Sequence, residues 1–176
     1  RSLQFLQKSM LRIDALVRDL VLRARSSGHD PTDSLRGLVI SDDEIDQHMT
    51  TGGLAGLWPN TTSLVRNHNL PALDDQDPSE PFLHLVETFQ LTQLDAYILL
   101  LCLAPELDRR YERLYAYLQD DVSQRWPTVN LVMNALSDHL PGRYEVWARL
   151  QSEQPLRRHS LIDIQDNPHN AGASFL

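Results

Sequence analysis

The apolar run at residues 96–104, AYILLLCLA, constrains the fold more than any other feature of the sequence. Thr92 and Asp95 precede it with the spacing of a capping box, in which each side chain accepts a backbone N–H of the other residue. This spacing predicts a helix that begins after Thr92 and extends to Leu103. The segment is apolar on nearly every side from Ile98, so we expect it to be the central, buried helix.

Length and charge narrow the class of protein. A chain of 176 residues with 41% hydrophobic content suits one domain, or one domain with an added helical arm. The net charge of -8 argues against a general binder of polyanions. Cys102 is the single cysteine, which excludes an internal disulfide and predicts a cytoplasmic location. No membrane contact is expected, because a spanning helix needs roughly 20 apolar residues.

The first 27 residues predict one long helix with a heptad-like apolar seam. The seam consists of Leu3, Leu6, Met10, Ile13, Val17, Leu20 and Ala24. One interpretation is a helix that packs on its own domain. The other is a coiled-coil arm through which the chain associates with itself.

Further patterns predict shorter elements along the chain. Ser41 and Glu44 form another capping box, which opens a short helix, and residues 51–81 are predicted to be a long connection. A helix follows at residues 82–89. Pro105 is predicted to open the next helix, which carries a row of tyrosines and leucines.

The last third of the chain predicts two more helices and a strand. Trp126 and Pro127 open one helix, Pro141 and Gly142 form a turn, and residues 144–151 form another helix. Residues 156–164, LRRHSLIDI, are predicted to end in an alternating strand. The side chains of Trp126 and Trp147 are expected in the core rather than as stacking platforms.

These elements predict a mainly α fold with a small β element. The expected division is a helical N-terminal region with its long connection at residues 1–78, followed by a second domain at residues 79–176.

The sequence lacks the patterns of common catalytic sites. A phosphate-binding loop requires Gly-x4-Gly-Lys-Ser/Thr, which does not occur in this chain. The seven histidines are scattered, and no two have the spacing of a helical metal pair. Cys102 lies in an apolar run, where a thiolate is disfavoured. We therefore expect that this chain is not an enzyme and that it binds no cofactor or metal.

The segment DRRYERLY, residues 108–115, has the densest mixture of charges. Acids and arginines recur at four-residue spacing, which predicts neighbouring stripes on one helix, and Glu106 and Arg110 are spaced for an ion pair. A small basic spot lies at residues 157–159. The candidate partner-contact surface comprises Asp108, Arg109, Arg110, Glu112, Arg113, Arg157 and Arg158. The alternatives are a solvated, self-paired face and a nucleic-acid contact, which the interspersed acids disfavour.

Three segments resemble the N-terminal, variant winged-helix domain of a family of AAA+ ATPases, the type encoded with contractile injection systems. They read LLLCLAPELDRRYERLYAYLQDD, RWPTVNLVMNAL and LRRHSLIDI. The resemblance implies that residues 79–176 form a winged-helix-like domain. It also implies a non-catalytic recognition or assembly function ahead of an AAA+ core, with that core downstream of this chain. It also implies that the parent protein is a hexamer and that ATP and Mg²⁺ bind the ATPase module, not this chain.

Three functions follow, in order of preference. The first is recognition of a protein partner or substrate for the ATP-driven module. The second is DNA binding by a winged helix, which ranks lower because the candidate recognition helix at residues 127–136 has no Lys or Arg. The third is oligomerisation through the first helix.

Overall fold

The computed structural model describes residues 4–26, 42–50, 81–166 and 174–175. Within these ranges the chain forms eight helices and two short strands. The helices are α1 (Gln4–Ser26), α2 (Asp42–Thr50), α3 (Pro81–Thr88), α4 (Gln93–Leu107), α5 (Arg110–Leu118), α6 (Val129–Leu136), α7 (Leu140–Arg149) and α8 (Pro155–Arg158). The predicted mainly α fold is therefore confirmed for the described residues.

Helix α4 is the central helix that the apolar run predicts. Its side chains Ala96, Ile98 and Leu100 are fully buried, and α1, α5, α6, α7 and α8 all pack against it. The capping box forms as expected: the Asp95 amide donates to Thr92 Oγ1 at 3.2 Å, and the Thr92 amide donates to Asp95 Oδ2 at 2.8 Å. The capping box therefore determines where this helix begins.

Pro105 lies inside α4 rather than at the start of the next helix, so that prediction was wrong. Proline has no N–H to donate to the carbonyl oxygen of Leu101, four residues earlier. The buried hydroxyl of Tyr115 on α5 donates to that oxygen at 2.8 Å instead. A tertiary contact thus satisfies the backbone group that the proline leaves without a partner, and α4 continues to Leu107.

The apolar seam of α1 is buried against this body. Met10, Ile13, Val17 and Leu20 are all at most 7% exposed, and α1 packs on α4, α5 and α6. The structure thus favours the docked helix over the coiled-coil arm, since the seam is already covered by its own chain. Leu3 and Ser41 lie outside the described residues, as does most of the 51–81 connection, and the division at residues 78 and 79 stays a prediction.

Three helices end without glycine. Gln90, Asp120 and Ser160 adopt φ values of 51°, 52° and 54°, the left-handed conformation that closes a helix. After α5, the Asp120 amide donates to the Tyr117 carbonyl and the Asp121 amide to the Ala116 carbonyl, which is the Schellman pattern. Gln119 then organises the loop before α6: its side chain donates to the Trp126 carbonyl oxygen and accepts from the Thr128 amide, both at 3.0 Å.

A left-handed residue after a helical turn, here Ser160, also explains why the strand prediction at residues 156–164 was wrong. Residues Pro155–Arg158 form the helical turn α8, and the Leu161 amide donates back to the Leu156 carbonyl at 2.8 Å. Two-residue strands follow, Gln165–Asp166 (β1) and Ser174–Phe175 (β2), paired antiparallel with Gln165 opposite Phe175. A pairing this short does not establish the predicted β element of a winged helix.

Candidate functional site

The charged segment at residues 108–113 does not form stripes on one helix as predicted. Asp108 and Arg109 precede α5, which begins at Arg110, whereas Glu106 lies at the end of α4. The predicted pair of Glu106 and Arg110 within one helix was therefore wrong. Arg110 pairs with Asp108: its Nη2 lies 2.6 Å and its Nε 2.8 Å from Asp108 Oδ2.

This pair is turned towards the protein rather than towards solvent. The side chains of Arg110 and Asp108 are 16% and 23% exposed, and Asp108 Oδ1 also accepts the Arg110 amide at 2.9 Å. Asp108 thus connects the end of α4 to the start of α5, so a structural function accounts for two of the seven predicted surface residues.

Tyr111 extends this inward network to the first helix. Its hydroxyl donates to the Asp14 carboxylate on α1. Burial raises the pKa of Asp14 above its ordinary value, and the hydrogen bond from Tyr111 and the charge of Arg110 partly oppose that rise. The network therefore holds α1 against the α4–α5 junction.

The remaining predicted residues divide between two places. Arg109 and Arg113 are exposed. Glu112 is half-buried, and its Oε2 lies 3.8 Å from Arg125 Nη1. On α8, Arg157 Nη1 donates to the Leu150 carbonyl oxygen at 3.4 Å, and Arg158 is exposed. Among the described residues, neither α8 arginine makes a hydrogen bond or ion pair with the 108–113 segment. The candidate partner-contact surface of seven residues stays a prediction.

Helices α6 and α7 form a helix–turn–helix pair with a tight connection. Thr128 caps α6 by accepting the Leu131 amide at 3.2 Å, and His139 caps α7 by accepting the Gly142 amide on Nδ1 at 3.0 Å. A Cβ at Gly142 would lie 2.2 Å from Ser137 Oγ and 2.7 Å from His139 Cε1, so a larger residue there would displace the side chains that close the turn. Pro141 and Gly142 belong to the first turn of α7, and the predicted separate turn was wrong.

Both arginines of α7 are engaged with neighbouring helices. Arg149 Nε donates to Asp95 Oδ1 at 2.8 Å, and its Nη2 contacts Asp95 Oδ2. The Asp95 side chain is 0% exposed and also holds the start of α4. Arg143 donates to the side-chain oxygens of Asn134 and Asn130 on α6. These contacts orient α7 and direct its basic groups towards the protein.

The outward face of α7 is aromatic and apolar. Leu140, Tyr144 and Trp147 are 62%, 64% and 51% exposed, and their spacing of four and three residues places them on one side of the helix. We call these three residues the α7 face. The core prediction for Trp147 was wrong, as was that for Trp126, which is 42% exposed. The helical spacing of the α7 face was visible in the sequence, but the same spacing is typical of a buried face.

The described residues include the single cysteine of the sequence, Cys102. Burial raises the pKa of the Cys102 thiol to about 12, so the thiol stays protonated near neutral pH. Within the described ranges, no cluster of three or more His, Cys, Asp and Glu side chains is arranged to hold a metal. In the same ranges, no helix has both the length and the hydropathy to cross a membrane.

Comparison with known proteins gives one match. The search of curated proteins and the search of solved structures return nothing. The family model described as "Winged helix domain, variant" matches residues 1–176. Since the match covers the whole sequence, and the structure contains a helix–turn–helix pair within a helical body, the chain belongs to the variant winged helix domain family.

Proposed function

We propose that this domain recognises a protein partner through the α7 face and that it serves an AAA+ ATPase as a non-catalytic recognition domain. One observation carries the proposal. The second helix of the helix–turn–helix pair exposes Leu140, Tyr144 and Trp147, while its two arginines contact α4 and α6. Tyr and Trp are enriched at the centres of protein interfaces, where each contributes a large contact area.

The same helix bears on DNA binding as an alternative. In DNA-binding helix–turn–helix proteins, the second helix enters the major groove. The candidate recognition helix at residues 127–136 has no Lys or Arg, and α7 is the second helix of the pair. Its exposed residues include no Lys or Arg: they are Leu140, Pro141, Tyr144, Glu145, Trp147 and Ala148. DNA binding therefore remains the second choice, because phosphate contacts depend on exposed Lys and Arg.

Oligomerisation through α1 is also disfavoured. Four of the seven seam residues are buried in the chain's own core, namely Met10, Ile13, Val17 and Leu20. Exposing them would cost most of the stability that their burial provides, roughly 1.5–3 kcal/mol for each large side chain.

A photo-crosslinking experiment tests the proposal. Trp147→p-benzoylphenylalanine in the full-length protein, expressed in its native cells, is expected to form a protein adduct on irradiation. The matched control is Ser152→p-benzoylphenylalanine, because Ser152 is exposed just beyond α7. An adduct at 147 that is absent at 152, and that Tyr144→Ala weakens, supports recognition by the α7 face.

Two other results would contradict the proposal. Tight binding to duplex DNA that weakens steeply with salt would make DNA the ligand instead.

The link to an ATPase is tested separately on the coding sequence. A phosphate-binding loop with its lysine is expected downstream of residue 176, and its absence would remove the AAA+ assignment while leaving protein recognition intact.

A further inference from the structure

Arg143 lies at the edge of the α7 face. At about 100° per residue, it is about 40° around the helix from Trp147 and about 60° from Leu140. Glu145, in contrast, lies about 100° beyond Tyr144 on the other side of the row. The charged side chain of α7 that borders the aromatic and apolar row is therefore that of Arg143.

The guanidinium of Arg143 is held by neutral groups of α6. Its Nη2 donates to Asn130 Oδ1 at 3.1 Å, and its Nη1 donates to Asn134 Oδ1. Among the described residues, no carboxylate forms an ion pair with Arg143. Arg149 on the same helix is instead paired with the buried carboxylate of Asp95. The two asparagines therefore fix the position of Arg143 without neutralising its charge.

This fixed cation still has donors for a further acceptor. The Arg143 side chain is half-buried, and Asn130, to which it donates, is exposed. A guanidinium carries five N–H groups, and the asparagine oxygens do not use all of them. A carboxylate is the acceptor that suits it best, because it accepts two parallel N–H bonds and neutralises the charge. Since the guanidinium is already held in place, little side-chain freedom is lost when it binds.

The size and charge of the α7 face argue against a second copy of this chain as its partner. A Tyr or Trp side chain contributes roughly 150–250 Å² when it is buried completely. At about half to two-thirds exposure, the α7 face offers on the order of 300–400 Å². A stable interface buries about 800 Å² on each partner. A twofold contact would also bring together two faces that are each bordered by an arginine, and neither face supplies a carboxylate.

We infer that the α7 face binds an amphipathic helix of another protein, with Asp or Glu beside the apolar row of that helix. The inference deepens the proposed function and rests on it. Side chains at positions i, i+4 and i+7 form a ridge, which packs into the groove beside a similar ridge on a neighbouring helix. The carboxylate of the partner would lie opposite Arg143. Arg, Trp and Tyr are also the residue types that most often dominate the binding energy of protein interfaces.

Two labelled helical peptides test this inference by fluorescence anisotropy with the 176-residue chain. They have the same composition and share one leucine row. Glutamates line both edges of the row in one peptide and lie on the opposite side of the helix in the other. The first peptide is expected to bind about three- to fivefold more tightly at low salt, the effect of one exposed ion pair. Equal peptide charge is needed because the chain, with a net charge of -8, repels both peptides alike.

Matched variants separate the contact with Arg143 from the overall charge. Asn130→Asp places a carboxylate beside the guanidinium, and Ser152→Asp places one at an exposed position beyond α7. Asn130→Asp should abolish the preference for the first peptide, whereas Ser152→Asp should retain it. Arg143→Gln should also abolish the preference, and Arg23→Gln, at an exposed arginine of α1, should not.

Asn130→Asp also guards against a variant that fails to fold. Asn130 is exposed and lies in the first turn of α6, where an acidic side chain is favourable, so the fold should be retained. Circular dichroism checks this for each variant. Trp147→Ala, which removes the centre of the α7 face, should weaken the binding of both peptides about tenfold.

The outcomes distinguish the two proposals. If Trp147→Ala weakens binding but the two peptides bind equally, recognition by the α7 face stands and the acidic partner helix is wrong. If Asn130→Asp and Ser152→Asp act alike, only bulk charge is at work, and the inference also fails. If neither peptide binds, or if Trp147→Ala has no effect on binding, the partner helix is wrong, and the crosslinking result alone then decides the proposed function.

Discussion

The 108–113 segment and the outward side of α7 differ in composition, and in each the solvent exposure is the reverse of what the composition suggests. The first is rich in charge, yet Asp108 and Arg110 are mostly buried and bind each other. The second is rich in apolar and aromatic side chains, yet Leu140, Tyr144 and Trp147 are more than half exposed. Residue type alone therefore predicts the wrong location for the central residues of both regions.

This difference in exposure depends on which groups are available to pair with a charge or to pack against an aromatic ring. A charged side chain can be buried when an opposite charge and backbone amides satisfy it, as at Asp108. An aromatic side chain is buried only if an element lies on that side of its helix. The inward side of α7 is already filled by Val146 and Leu150, so Tyr144 and Trp147 are left outside.

The largest change in the free energy of unfolding is expected when the carboxylate that holds α7 in place is removed. Asp95→Ala leaves the Arg149 guanidinium without the buried carboxylate that it pairs with, and it removes the half of the capping box that accepts the Thr92 amide. We therefore expect a loss of about 3–5 kcal/mol in the free energy of unfolding. Urea denaturation followed by circular dichroism measures this. Glu153→Ala, at an exposed acid, should change the value by less than about 0.5 kcal/mol. Equal effects would show that Asp95 does not anchor α7.

The second test compares the two sides of α7 directly. Leu150→Ala, at a side chain 1% exposed, should destabilise the fold by about 3 kcal/mol because it leaves a cavity. Trp147→Ala removes a larger side chain, but it should cost only about 1 kcal/mol, clearly less than Leu150→Ala, because about half of that side chain is already exposed. A large loss of stability in Trp147→Ala would place the tryptophan in the core and undo the comparison.

The third test uses pH to examine the network behind the charged segment. Because burial raises the pKa of Asp14 in the folded state, the native protein holds a proton that the unfolded chain releases near the ordinary value of 3.8. The stability contributed by this group should therefore fall as the pH rises from below 3.8 through the raised pKa.

Asp14→Asn isolates this contribution, since asparagine does not titrate. The free energy of unfolding of the native sequence minus that of Asp14→Asn should decrease across this window, as measured by urea denaturation at a series of pH values. A difference that rises with pH would mean that the carboxylate is stabilised in its charged form, contrary to the burial seen at α1.

The smallest effect separates two neighbouring arginines. Arg110→Ala should cost about 1 kcal/mol, because it breaks the mostly buried pair with Asp108. Arg109→Ala, at an exposed side chain outside any helix, should change the thermal midpoint by less than about 2 °C. Equal shifts in thermal denaturation would make the 108–113 segment a uniform surface, as the sequence suggested.

Much of the helical framework could be predicted from local patterns. The capping box at Thr92 and the apolar run locate α4, and the seam of α1 predicts which of its residues are buried. These predictions succeeded because capping and periodicity depend on residues within one or two turns of each other. The predicted helix start at Pro105 was wrong, since Tyr115, the side chain that satisfies Leu101, lies on another helix.

The surfaces could not be predicted in this way. The sequence by itself determined a mainly helical chain with a buried α4 and an amphipathic α1, because each follows from local spacing of apolar and capping residues. Only the tertiary structure decided that Arg149 pairs with Asp95, 54 positions away, and that Trp147 faces solvent. Exposure depends on which elements pack on a helix, and that packing is a property of the whole fold rather than of the spacing along the chain.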